Sequence, residues 1–251
     1  MAHRFTAMTA NLWNTQRWPE REAPLRALLH RAPDLLCVQE LRPALRTAID
    51  AALRHHARVE DPFPGWAGEG NIWWDTRCFE VLAYGAADHG AVEAQRRLFW
   101  ARLRHLAAGR ELVVATVHLT WTGGTDEPTT GLSPRPAQAR AIVAALAELA
   151  ADDPCLLMGD LNDPVVPVRT FRAAGFADAW SALGVQPVPT FPAFPVDGSG
   201  SRRPPLLPAS TLDWQFHRGP VRPVMTEVVD QPWRGVAPSD HRPVMTLYEL
   251  A

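Results

Sequence analysis

The chain has 251 residues, 47% hydrophobic and 21% charged, with a net charge of -2. That is the make-up of a folded globular protein long enough to bury a sizeable core, neither disordered nor fibrous. All 25 basic residues are Arg, which excludes a lysine Schiff base and a Walker-type phosphate lysine, and the near-neutral balance argues against an arginine-studded nucleic-acid coat.

Phe5 to Trp13 reads as a first strand, and Glu20 to His30 has the helical spacing of Leu25, Leu28 and Leu29. Leu35 to Val38 is a short buried strand ending in Gln39-Glu40. Pro43 to His56 reads as a helix, and residues 57–70 as a Pro/Gly-rich loop. Asn71 to Trp74 and Phe79 to Tyr84 suggest strands paired across a turn at Asp75-Thr76-Arg77, and Leu98 to Leu106 with Glu111 to Leu119 a second hairpin. After a polar loop at 120–133, Pro136 to Ala150 carries the clearest helical pattern. Cys155 to Met158 is another buried strand, and Val166 to Ala174 a short helix. The proline-rich stretch 185–210 reads as a mobile flap. Leu212 to His217, Val221 to Val229 and Arg242 to Leu250 close the chain as strands. Mixed hairpins and crossover helices imply a mixed sheet with helices outside, in two face-to-face layers and one domain spanning 1–251.

Three cysteines do not make a disulfide framework; Cys37 and Cys155 sit in apolar runs and Cys78 near a polar turn. No apolar run approaches the ~20 residues of a bilayer span. Met1 to Phe5 has no secretory apolar region, so a reducing cytoplasm is the expected location.

Apolar strands repeatedly run straight into polar residues: Glu40, His118, Asp160 with Asn162, Asp213, and Asp240-His241, with Asn11 late in the first strand. Strand ends of stacked sheets share a rim, so these side chains can converge. Carboxylate and amide oxygens are hard ligands suited to Mg2+ or Mn2+, and no His-Glu-x-x-His or paired CxxC supports zinc. Each residue alone has a plainer reading: Glu40 as a solvated turn acid, Asp160 with Asn162 as an Asx turn, Ser239-Asp240-His241 as a polar turn.

Asn11-Leu12-Trp13, Gln39-Glu40, Thr116-Val117-His118-Leu119, Gly159-Asp160-Leu161-Asn162, Leu212-Asp213-Trp214 and Ser239-Asp240-His241 together resemble the ordered motifs of the endonuclease/exonuclease/phosphatase superfamily. That group includes pancreatic-type deoxyribonuclease, AP endonucleases, deadenylases, sphingomyelinases and inositol polyphosphate 5-phosphatases. The resemblance implies a four-layer α/β sandwich and a Mg2+-dependent phosphoesterase using in-line attack of water. It implies Glu40 as principal metal ligand, helped by Asn11 and Asp240, and Asp160 as the residue that orients or deprotonates the water. Asn162 would position phosphate and nucleophile, Asp213 would orient His241, His241 would contact the phosphate, and His118 would be a second phosphate ligand or a general acid. Arg96 or Arg97 resembles a family arginine near the phosphate, and Arg135 to Gln138 the family's Arg-x-x-Gln.

Among ten Trp residues, Trp13, Trp100 and Trp180 read as core. Trp121 and Trp73 are the candidates for a wall that stacks a substrate ring. Arg202-Arg203 in the flap would grip a second phosphate or be merely solvated. The chain lacks the AP-endonuclease lysine after Gln-Glu, reading Leu41-Arg42 instead, and lacks the Trp before Gly-Asp of inositol 5-phosphatases, having Met158. The substrate class therefore stays open between nucleic acid, nucleotide and another small phosphate ester. The alternative from a different class is a catalytically inactive binding module with the same fold; no protein partner is implied.

Overall fold

The computed structural model describes residues 3–193 and 209–250. Its first half comprises β1 (His3–Asn11), α1 (Glu22–Leu29), β2 (Leu35–Gln39), α2 (Pro43–Ala52), β3 (His56–Arg58), α3 (Gly65–Gly68), β4 (Gly70–Asp75), β5 (Phe79–Ala87), β6 (Leu98–His105) and β7 (Arg110–His118). A 3-10 turn (Thr122–Gly124) leads to α4 (Glu127–Thr130), α5 (Arg135–Ala150), β8 (Cys155–Asp160), α6 (Val166–Ala173), β9 (Ala177–Asp178), α7 (Ala179–Leu183), β10 (Asp213–Arg218), β11 (Val221–Val228) and β12 (Val244–Leu250).

The strands form two six-stranded sheets, ordered β11-β12-β1-β2-β4-β3 and β5-β6-β7-β8-β10-β9. Each is mixed: β1 with β2 and β7 with β8 are parallel, and the other neighbours antiparallel. Strand periodicity explains the layers. In β2, Leu35 and Cys37 face the second sheet, whereas Leu36 and Val38 face α1 and α2. In β8, Leu156 and Met158 face the first sheet, whereas Cys155 and Leu157 pack under α5 and α6. Strands covered on both faces read as continuous apolar runs, which is why both were visible in sequence. The protein is a four-layer α/β sandwich. Gln39 Nε2 ties the sheets together by donating to Thr116 Oγ1 at 2.7 Å.

Several elements differ from the sequence reading. β4 and β5 are not a hairpin: β4 pairs with β2 and β3 in one sheet, and β5 with β6 in the other. The Asp75-Thr76-Arg77 turn therefore carries the chain between sheets, closed by Asp75 Oδ1 accepting Arg77 N–H at 2.9 Å. β4 is buried along its whole length and β5 is largely exposed, so the two do not share a face. The stretch 57–70 contains the end of β3 and α3, and 120–133 contains the 3-10 turn and α4. β9 and α7 are too short for a periodic signal.

Trp73 does not face a pocket. It is 1% exposed, in the apolar layer with α1 and α2, and its Nε1–H donates to Asp50 of α2 at 2.9 Å. Trp13, read as core, is half-buried and lines the cleft described below. Of the stretch read as a flap, residues 185–193 and 209–210 are described, with Phe191 bridged to Ser210; Arg202 and Arg203 lie outside the described residues.

Candidate active site

The polar residues lie where the strands of both sheets end. Asn11 and Gln39 are register partners on β1 and β2. His118 on β7, Asp160 on β8 and Asp213 on β10 form one row across three neighbouring strands. Gly159 makes the row possible: with φ +148 its Cβ would lie 2.0 Å from Val117 O, so only glycine lets β8 approach β7 here.

Asp160 is at the centre and fully buried. Its Oδ1 accepts the Asn162 N–H at 2.9 Å, which is the Asx turn of the plainer reading. The same carboxylate also turns Oδ2 toward the site: Asn11 Nδ2 donates to it at 2.9 Å, His118 Nε2 lies 3.5 Å away and His241 Nε2 3.8 Å away. Burial pushes the Asp160 carboxyl up to about 7, with the Asp213 charge adding to it and His241 opposing. Asn162 Nδ2 donates to Leu119 O at 2.9 Å.

His241 Nδ1 is 2.8 Å from Asp213 Oδ2. Burial works against the imidazolium, but Asp213 and Asp160 outweigh it and raise the pKa to about 10. His118 is the opposite case: burial, then the charge of Arg96, holds it well below the usual value. Two histidines beside one carboxylate are thus held in different states, one charged and one neutral.

Glu40 has φ +54 and points into the cleft. Asn11 Nδ2 donates to its Oε1 at 3.1 Å and Asn14 Nδ2 to its Oε2 at 2.9 Å. Asp240 faces the same cleft, and burial raises its carboxyl to about 6, with Glu40 adding repulsion. Two hard carboxylates facing one cleft fit a divalent cation between them. The Asn11 carboxamide oxygen accepts Trp13 N–H at 2.9 Å, so the nitrogen end of that residue serves the acids. Among the described residues Asp160, Asp213 and His241 also place ligand atoms within 4.8 Å of one another. An imidazolium in that set repels a cation, so Glu40 and Asp240 suit one better.

The two arginines separate. Arg96 is buried at the cleft wall, 3.1 Å from Glu93 and 3.5 Å from Glu69. Arg97, just before β6, lies over the Phe63 ring at 5.5 Å and does not line the cleft. The cleft measures about 870 Å3 and also takes in Trp121, Phe191 and Arg42.

Sequence reading missed Asn14, Glu69 and Phe191, and above all Arg21. Arg21 is 1% exposed. Its Nε donates to Gln16 O, Nη1 to Leu12 O and Pro238 O, and Nη2 to Trp13 O and Asn14 O. One guanidinium therefore bolts the loop bearing Asn14 to the loop bearing Asp240. Asn14, three residues after Asn11, carried a faint signal; a lone Arg before a helix carried none.

The profile of the Endonuclease/Exonuclease/phosphatase family matches residues 8–241. The chain belongs to this family. Solved structures match over nearly the full length of both chains. A Bacteroides thetaiotaomicron endonuclease/exonuclease/phosphatase family protein has 17% identity, coverage of 100% and 99%, and a TM-score of 0.80. D. rerio TDP2 complexed with single strand DNA product has 19%, 98% and 98%, and 0.78. The Bacteroides thetaiotaomicron mannosyl-6-phosphatase Bt3783 has 18%, 96% and 98%, and 0.77. At these identities the likeness is one of fold. No curated protein sequence matches the chain.

Proposed function

We propose that the protein is a Mg2+-dependent phosphoesterase, with Mn2+ able to substitute, that hydrolyses a phosphodiester or phosphomonoester by in-line attack of water. The supporting observation is Asp160, whose Oδ2 meets Asn11 at 2.9 Å, His118 at 3.5 Å and His241 at 3.8 Å. Glu40 and Asp240 would hold the cation, which when bound supplies positive charge to the phosphoryl oxygens. Asp160 accepts the proton of the attacking water, its raised pKa matching that task near neutral pH; the new P–O bond forms as the ester P–O bond opposite it breaks, and the departing alkoxide takes its proton from solvent. Asn11 and Asn162 hold the carboxylate in orientation. His241, kept protonated by Asp213, donates to a phosphoryl oxygen and stabilises the charge that builds there. His118 and Arg96 face the phosphate from the opposite wall.

Family membership and the TDP2 and mannosyl-6-phosphatase likenesses favour this over a binding module, as does the complete catalytic set. The described cysteines are free thiols, which suits a reducing cytoplasm. Among the described residues no helix is long and apolar enough to cross a membrane. Purified protein should release p-nitrophenol from bis-p-nitrophenyl phosphate with Mg2+ or Mn2+ and stop on addition of EDTA. Silence on this ester and on a panel of nucleotides and sugar phosphates would leave the binding module as the better account.

A further inference from the structure

Trp121 is 55% exposed at the mouth of the catalytic cleft, three residues after His118. Its position is built, not incidental. The preceding residue, Thr120, is fully buried and held twice by Gln138: its N–H donates to Oε1 at 3.1 Å, and its Oγ1 accepts from Nε2 at 2.8 Å. Its carbonyl accepts from Arg135 Nη1 at 2.9 Å. The following turn carries Gly123 and Gly124, on which the indole lies. A Cβ at Gly123 would sit 2.2 Å from the six-membered ring, and one at Gly124 2.8 Å from Nε1. The glycine pair thus supports one side of the ring and leaves more than half of the residue open to water.

The geometry points to a ring-binding subsite: Trp121, seated on Gly123-Gly124, stacks the nucleobase of a nucleotide or single-stranded substrate whose phosphate lies at Asp160. This rests on the phosphoesterase reading and specifies its substrate class. A cleft of about 870 Å3 exceeds what a lone phosphate fills and suits a nucleotide. The cleft offers ring walls, Trp121 with Phe191 and Trp13, and the chain has a net charge of -2. Stacking on aromatic platforms recognises unpaired bases, whereas a duplex needs a basic track along its backbone. The Arg-x-x-Gln pair, Arg135 and Gln138, then serves as the anchor of the platform.

The test compares binding of adenosine 5′-monophosphate, ribose 5-phosphate and mannose 6-phosphate by calorimetry, in wild type, Trp121→Ala, Trp121→Phe and Gly123→Ala. Wild type should prefer the nucleotide over ribose 5-phosphate by roughly five- to a hundredfold, the usual span for base stacking. Trp121→Ala should erase that preference and Trp121→Phe retain most of it. Gly123→Ala keeps the indole but tilts it off its seat, and should also lose the preference. Equal wild-type affinities for nucleotide and ribose phosphate, or a preference that survives Trp121→Ala, overturns the subsite. Mannose 6-phosphate binding as tightly as the nucleotide, with the same dependence on Trp121, assigns the platform to a saturated ring and overturns the nucleobase. If no ligand binds and bis-p-nitrophenyl phosphate is not cleaved, the phosphoesterase reading itself fails; cleavage of that ester without a Trp121-dependent preference sinks the subsite alone.

Discussion

Asn11 donates its side-chain amide to Oδ2 of Asp160 at 2.9 Å, across the seam between the two sheets. The residues are far apart in sequence, one at the end of β1 and the other at the end of β8, and neither sheet alone holds the full set. The same amide reaches Glu40 at 3.1 Å, so a single side chain sets the spacing between the acid assigned to the cation and the one assigned to the water.

Asp160→Asn should lower kcat by about 10²–10⁴-fold, the usual worth of a general base. Stability should not fall with it. The folded-state pKa is raised to about 7, so the stability linked to this group is fully present below the ordinary carboxylate pKa and is lost as pH rises through about 7. Without added metal, the melting temperature of the variant at pH 8 should equal or exceed that of wild type. A clear drop there would contradict the burial argument.

Asp213→Asn removes the main support of a charged His241, leaving burial to push its pKa down. The alkaline limb of the kcat/KM profile should therefore move to lower pH, by about 1–3 units. Because the wild-type His241 pKa is raised to about 10, its stabilising pairing is complete below the ordinary histidine pKa and is lost as pH rises toward 10. The gap in melting temperature between wild type and variant should accordingly narrow between pH 7 and 10. An unmoved pH profile would remove the protonated His241 from the mechanism.

Asn14→Ala cuts the link between the loop that Arg21 bolts and Glu40. The Mg2+ concentration for half-maximal activity should rise about 10–100-fold, as when a ligand's supporting hydrogen bond is lost, with a smaller change in kcat at saturating metal. Calorimetric titration of Mg2+ into metal-free protein should show the same weakening. Arg21→Ala should instead lower the melting temperature, since it strips five backbone carbonyls of their donor.

Trp73→Phe tests the corrected assignment of that residue. It should cost about 1–3 kcal/mol, from the lost donation to Asp50 and an imperfectly filled site, read by urea unfolding. KM for any phosphate ester should stay unchanged. A raised KM at unaltered stability would return Trp73 to the substrate.

The sandwich and the polar rim were legible because buried strands are short apolar runs and their ends are abrupt. Leu35 to Val38 before Glu40 and Cys155 to Met158 before Asp160 show both features. Partner choice was not legible. β4 and β5 read as a hairpin because the turn between them is short, whereas they pair with different neighbours in different sheets, β4 buried and β5 largely exposed. Trp73 and Trp74 illustrate the same loss: in a strand covered on both faces, alternation no longer separates inside from outside. Arg21 escaped notice because its partners are carbonyl oxygens, which leave no mark in a residue pattern.

Because Gln39 and Thr116 clasp the sheets just behind the cleft, catalysis doubles as a gauge of how the halves are docked. Small slippage between them, too slight to unfold anything, would draw Glu40 and Asp160 out of alignment. Turnover should therefore decay earlier than secondary structure as the protein is warmed or pressurised.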